Sequence, residues 1–177
     1  MPTVNLLPNG DVSNDWTPSA IGNVYGLINN DHTSVISTDG FYLGATATAK
    51  TCIVELENFT EDHSSIHGVQ LVVRAGTDDR GEDYDLRTRL MSASGGLYYS
   101  EDTGTELANR NYLTHTFTNR TTTDGSTAWN NILVDGLRIE VESYALSGGT
   151  LKFTYAYVIV TYTEPLVNNA IFFGTNF

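Results

Sequence analysis

Five carboxylates crowd into eight positions of this chain: Asp78, Asp79, Glu82, Asp83 and Asp85. Hard oxygen ligands on a loop suit calcium, yet the spacing departs from the EF-hand pattern and Arg80 supplies a counter-charge from within. A solvated acidic turn is the reading adopted, with calcium left open and no cofactor expected. His63 and His67 stand four apart, a spacing that on a helix would offer two metal ligands on one face. Ser64-Ser65-Ile66 between them reads as a loop entering a strand, where that spacing loses its meaning. Glu55, Glu57, Glu140 and Glu142 could supply the paired carboxylates of a glycosidase, but nothing in the sequence selects a pair. Tyr98-Tyr99 and Trp16 are aromatics able to stack on sugar rings. No GxSxG, HExxH, GxGxxG, P-loop or CxxC pattern occurs, so no catalytic activity is expected.

Composition narrows the partners. The formal net charge is −12 over 177 residues, and Lys50 and Lys152 are the only lysines. Such acidity argues against nucleic acid and anionic membrane as direct partners. Cys52 is the single cysteine, which excludes an intrachain disulfide, and its face-sharing with Val54 and Leu56 makes it a buried thiol. The segment MPTVNLLPNGD lacks the basic and apolar runs of a signal peptide, and no stretch approaches the roughly 20 apolar residues of a span. Synthesis in a cytoplasm without a membrane anchor is the expectation.

The elements that must position these residues read as strands. Ten tyrosines and sixteen glycines favour strands and turns. Leu137, Ile139 and Val141 alternate with Arg138, Glu140 and Glu142, the period of a half-buried strand. Leu151, Phe153, Tyr155, Tyr157 and Ile159 share a face in the next strand, and the opposite face turns apolar at Ala156, Val158 and Val160. Ser147-Gly148-Gly149-Thr150 between the two strands predicts a tight hairpin. Trp129, Leu137, Ile139, Val141, Phe153, Tyr155 and Tyr157 form the expected main core. Further strands are expected at 34–37, 41–43, 50–57, 66–75, 84–91, 97–100 and 111–118. Residues 1–33 are turn-rich, anchored by Trp16. One short helix is expected at 128–133, capped by Ser126 or Thr127. Together these predict an all-β protein, an antiparallel β-sandwich of jelly-roll topology. It should be a single domain over 1–165, followed by an apolar tail at 166–177.

The run from Trp129 through Asp135-Gly136 to Val141, then Gly148-Gly149-Thr150 and Thr154 to Tyr162, resembles small jelly-roll structural proteins of tailed bacteriophages. Trp16 followed by Ser34-Val35-Ile36-Ser37 fits the same pattern. The resemblance implies a non-enzymatic virion protein, a capsid decoration or cement protein that binds other virion subunits such as the major capsid protein, or a tail component. It transfers no functional residue. A carbohydrate-binding or receptor-binding module of a phage tail component is the alternative, and a hydrolase is a third reading with no convergent site to support it.

Leu166, Val167, Ile171, Phe172, Phe173 and Phe177 are too apolar for a free tail. With Val158 and Val160 read as an outward apolar face, they form the expected interface of a homo-oligomer. The virion resemblance favours a trimer.

Overall fold

The computed structural model describes residues 1–19, 42–77, 84–104, 112–146 and 149–166. Eleven strands and one helical turn are described: β1 Thr3–Leu6, β2 Pro8–Asn14, β3 Thr17–Pro18, β4 Leu43–Ala45, β5 Thr51–Leu56, β6 Ser65–Thr77, β7 Tyr84–Met91, β8 Leu97–Asp102, β9 Leu113–Thr116, α1 Asn131–Val134, β10 Arg138–Leu146 and β11 Leu151–Thr163. They form two antiparallel sheets, one ordered β3-β4-β11-β6-β9 with β1 also on β11, the other β2-β5-β10-β7-β8. The molecule is the expected all-β sandwich of jelly-roll type, with one short helix among the described residues.

The sheets bury their facing sides against each other. Val54, Leu56, Leu86, Leu90, Ile139 and Val141 come from the five-stranded sheet, and Leu71, Val73, Leu151, Phe153, Val158 and Val160 from the six-stranded one. Trp16 closes one part of this core, its ring edge-on to Phe153 and its indole N–H donating to the Lys50 carbonyl at 2.9 Å. Trp129 closes another, with its indole N–H on the Arg120 carbonyl at 2.8 Å. Cys52 lies in the core, where burial first and the Asp11 charge second push its thiol up to about 12. It is an inert packing group at neutral pH.

Four expectations are corrected. β10 and β11 do not form a hairpin: β10 pairs with β5 and β7, and β11 with β1, β4 and β6. Period-2 alternation says which face is buried, not which strand lies alongside. These two strands bury their apolar faces across the core, and Gly149, at φ 63°, sits in a crossover between sheets.

The second correction concerns β11. Phe153 pairs with Ala75 and Tyr155 with Arg74, so Thr154 is an extra residue, a β-bulge that shifts the alternation by one. Thr154 is itself buried, its hydroxyl donating to the Arg74 carbonyl. Beyond it Ala156, Val158, Val160 and Tyr162 enter the core, while Tyr155, Tyr157 and Ile159 turn outward and are half-buried. Val158 and Val160 are 0% exposed inside the sandwich, so they offer no surface to a partner.

Third, the segment 1–33, expected to be turn-rich, carries β1, β2 and β3 within its described residues 1–19. β2 holds Pro8 and Gly10 because it is an edge strand, with Pro8 as its first residue and register shifts at Pro8/Gly10 and Asp11/Ser13. Fourth, the helix begins later than expected. Asn130 caps it from an extended backbone, its side chain accepting from the Leu133 N–H, and Trp129 lies before the helix. The strand expected at 34–37 lies outside the described residues.

Candidate functional site

The bulge at Thr154 builds a surface. Tyr155 and Tyr157 stand side by side on the outer face of the six-stranded sheet, ring centroids 5.8 Å apart and planes tilted by 39°. Tyr155 lies opposite Arg74, and Arg74 opposite Thr114; the Tyr155 and Thr114 hydroxyls share a 2.9 Å hydrogen bond across that row. The Arg74 guanidinium also lies over the Tyr112 ring at 5.7 Å. In the next row Tyr157 faces Val72 and Val72 faces Thr116. Val72 is 1% exposed although it belongs to the outer face, which places apolar surface beneath the rings. Ile159 lies between Asn5 and Gln70, and the Gln70 amide donates to the Phe117 carbonyl at 2.7 Å. Burial, with the Tyr155 charge second, holds the Tyr157 phenol above its ordinary range, so this ring stays neutral at physiological pH. The face offers two aromatic planes bordered by hydroxyl, amide and guanidinium groups.

A second aromatic group sits where the two sheets meet at their edge. Residues 118–130 cross from β9 towards β8. Arg120 and Val69 exchange backbone hydrogen bonds at 2.9 Å each way, and the Arg120 guanidinium reaches Glu101 of β8 at 2.5 Å. Gly68 permits this crossing, because a Cβ there would lie 2.3 Å from the Asn119 side chain. The Arg120 guanidinium lies 5.4 Å above the Tyr99 ring, and Tyr98 meets Trp129 edge-on at 5.3 Å. Tyr98, Tyr99, Arg120, Thr122, Thr123, Asp124 and Gly125 enclose a cleft of about 400 Å³. The Tyr99 hydroxyl is buried without a hydrogen-bond partner, a condition that costs about 1–3 kcal/mol. Burial first and Glu101 second push its phenol pKa upward, against Arg120, which lowers it.

Other sequence candidates resolve differently. Trp16 is 3% exposed and cannot stack on an external ligand. Glu140 and Glu142 face outward as expected, but Arg89 binds both, reaching Glu142 at 2.5 Å, so neither is a free acid or base. Glu57 accepts the Leu7 N–H at 3.4 Å. His67 hydrogen-bonds Thr163 at 2.5 Å and Ser65 at 3.1 Å, while the His63 ring N lies 2.8 Å from the Glu61 carbonyl. Among the described residues no three metal-ligating side chains converge. Of the acidic loop only Asp85 is described; its carboxylate accepts from Thr103 at 3.1 Å and from the Gly104 N–H at 2.9 Å. Asp78, Asp79, Arg80, Glu82 and Asp83 lie outside the described residues, as do Val167, Ile171, Phe172, Phe173 and Phe177. Leu166 is described and is 97% exposed.

No family model matches the chain, and no curated protein does. Among solved structures, an arabinose-bound α-L-arabinofuranosidase is similar at TM-score 0.50 and 11% identity, over 88% of this chain and 26% of that one. The xylan-binding module CBM15 gives 0.49 and 14%, over 93% and 99% of the two chains. The CBM36-1 domain of a multidomain xylanase from the hindgut metagenome of Trinervitermes trinervoides gives 0.42 and 10%, over 93% and 100%. The chain therefore spans about a quarter of the arabinofuranosidase. At such identities the likeness concerns the fold.

Proposed function

We propose that this protein is a non-catalytic glycan-binding β-sandwich whose ligand chain lies along the outer face of the six-stranded sheet, across Tyr155 and Tyr157. The observation that carries the reading is the pair of outward rings 5.8 Å apart, displaced from the core by the Thr154 bulge. A sugar ring has an apolar face of C–H groups and a rim of hydroxyls. The first stacks on a tyrosine plane, and the second finds Thr114, Thr116, Gln70 and Asn5 along the strands. The absence of a free carboxylate pair at Glu140 and Glu142 supports binding without hydrolysis.

The test is affinity electrophoresis and calorimetry against soluble xylan, mixed-linkage β-glucan, mannan and alginate. At least one should retard the protein, and the Tyr155→Ala/Tyr157→Ala double variant should bind at least about tenfold more weakly while still unfolding cooperatively. Failure to bind any of them, or binding indifferent to the double substitution, would overturn the reading.

A virion structural role is the second reading, and the exposed Leu166 favours it, because the first large apolar side chain after β11 stands in water. On that reading the chain is an oligomer, a trimer by the phage resemblance, joined through the tail. Light scattering of the full chain and of a version lacking residues 168–177 tests it: a monomeric full chain, or a multimer that survives the truncation, sinks it.

A further inference from the structure

We infer that the cleft between β8 and the 118–130 crossing is a second binding site, separate from the outer tyrosine face, and that it takes one neutral sugar residue. The first support is its construction. About 400 Å³ lies within the usual range for small-ligand pockets, and it leaves room for a single pyranose or furanose rather than an extended chain. Its walls are preorganised. Thr122 and Ala128 form a β-bridge, the Thr123 N–H donates to the Thr127 carbonyl at 2.9 Å, and Asp124 Oδ1 accepts from the Ser126 and Thr127 N–H groups at 3.1 and 3.0 Å.

The second support is the chemistry left over. Arg120 places Nε and Nη2 on Glu101 Oε1, which leaves the Nη1 donors for the cleft. Asp124 has its fixed contacts on Oδ1, which leaves Oδ2 as an acceptor. A guanidinium edge and a carboxylate oxygen are the pair that reads vicinal hydroxyls, one accepting and one donating. Tyr98 and Tyr99 add aromatic surface to the same wall, against which the C–H face of a sugar can stack.

The third support is charge. Glu101 cancels Arg120, and Asp124 adds a full negative charge that its own loop stabilises. A uronate or sulfated sugar would meet that charge across a small cleft, whereas a neutral sugar would not. The cleft proposal shares only the ligand class with the tyrosine-face reading and uses none of the same residues.

The test is a two-dimensional amide NMR titration of the full chain with xylose, arabinose, glucose, galactose, mannose and glucuronate. The reporters are the Trp129 indole N–H and the Ser126 and Thr127 amides. At least one neutral sugar should shift these signals saturably, and glucuronate should bind at least about fivefold more weakly. Arg120→Lys keeps a positive charge beside Glu101 but removes the guanidinium edge, so it should weaken sugar binding about tenfold. Tyr155→Ala should leave the titration unchanged, which separates this site from the tyrosine face. The proposal is overturned if no neutral sugar moves the reporters or if glucuronate binds as well. It also falls if Arg120→Lys leaves affinity intact, or if Tyr155→Ala abolishes the shifts.

Discussion

The outer faces of the two sheets are built from different alphabets. The five strands β2, β5, β7, β8 and β10 carry Asp11, Glu55, Asp85, Glu101, Asp102, Glu140 and Glu142, whereas the strands of the six-stranded sheet contain no Asp or Glu at all. On the five-stranded face the charges are spent on one another. Arg87 pairs with Asp102 at 3.0 Å and covers the Tyr144 ring at 3.4 Å, Arg89 spans Glu140 and Glu142, and Arg138 lies in register with Glu55. That face stays net acidic and solvated, with Arg87 and Arg89 held by its own carboxylates. The six-stranded face presents tyrosine, threonine, asparagine and glutamine, groups that a neutral polyhydroxyl ligand can approach without stripping water from a carboxylate. One sandwich thus has one outer face rich in carboxylates and one built from neutral polar and aromatic groups.

The comparison breaks most visibly at β11. Phe153 is fully buried against Trp16, so Phe153→Ala should cost about 3–5 kcal/mol in urea unfolding. Tyr155→Ala and Tyr157→Ala, two and four residues on, should each cost under about 1.5 kcal/mol, because they remove half-exposed rings. If Tyr157→Ala were as damaging as Phe153→Ala, the tyrosines would belong to the core and the binding face would not exist.

A smaller effect tests the opposite face. Arg89→Gln leaves Glu140 and Glu142 side by side on β10, both largely shielded by the sheet, without the arginine that bridges them. The expected loss is about 1–2 kcal/mol, below the value for a fully buried pair because the arginine is partly solvated. It should shrink as salt is raised to about 1 M, where the screening length falls to about 3 Å. An unchanged melting point at low salt would show that the ladder is ornamental.

Much of this architecture is readable in the sequence, and its misreadings share a cause. β7 occupies Tyr84–Met91, the range its alternation predicts, because it is a regular strand with one buried face. β11 defeats the same method at one residue. Its apolar phase changes between Phe153 and Ala156, and that change of phase is the sequence signature of a bulge, visible in the late appearance of Ala156, Val158 and Val160 opposite the tyrosines. The outward tyrosine pair was hidden by this shift. The hairpin failed for a different reason, since two adjacent amphipathic strands satisfy the same pattern side by side or face to face. Tyr98 and Tyr99 are recognisable as candidates, but Arg120 and Asp124 join them only through the crossing that Gly68 admits.

The smallest expected effect lies at the seam between the two faces. Four donors converge on Asp124 Oδ1: the Thr127 and Ser126 N–H groups, the Ser126 hydroxyl and the Thr123 hydroxyl. The Thr127 N–H leads in holding this carboxyl well below the ordinary aspartate range, followed by the Ser126 N–H and hydroxyl, with Thr123 adding less. The sign follows from proton counting. The unfolded chain binds this proton near pH 3.9 and the folded chain only at lower pH, so the contribution is complete above about pH 4 and is lost as pH falls below it. Asp124 is exposed, so global stability should barely register the change, whereas the loop that walls the cleft should. Amide shifts of Ser126 and Thr127 followed from pH 7 to pH 2 should therefore stay flat through pH 4 and move only near the acid end. Asp124→Asn should remove that movement and leave the Trp129 indole signal in place. A midpoint at the ordinary aspartate value would mean that the loop is not fastened by this carboxylate, and the cleft would lose its preorganised wall.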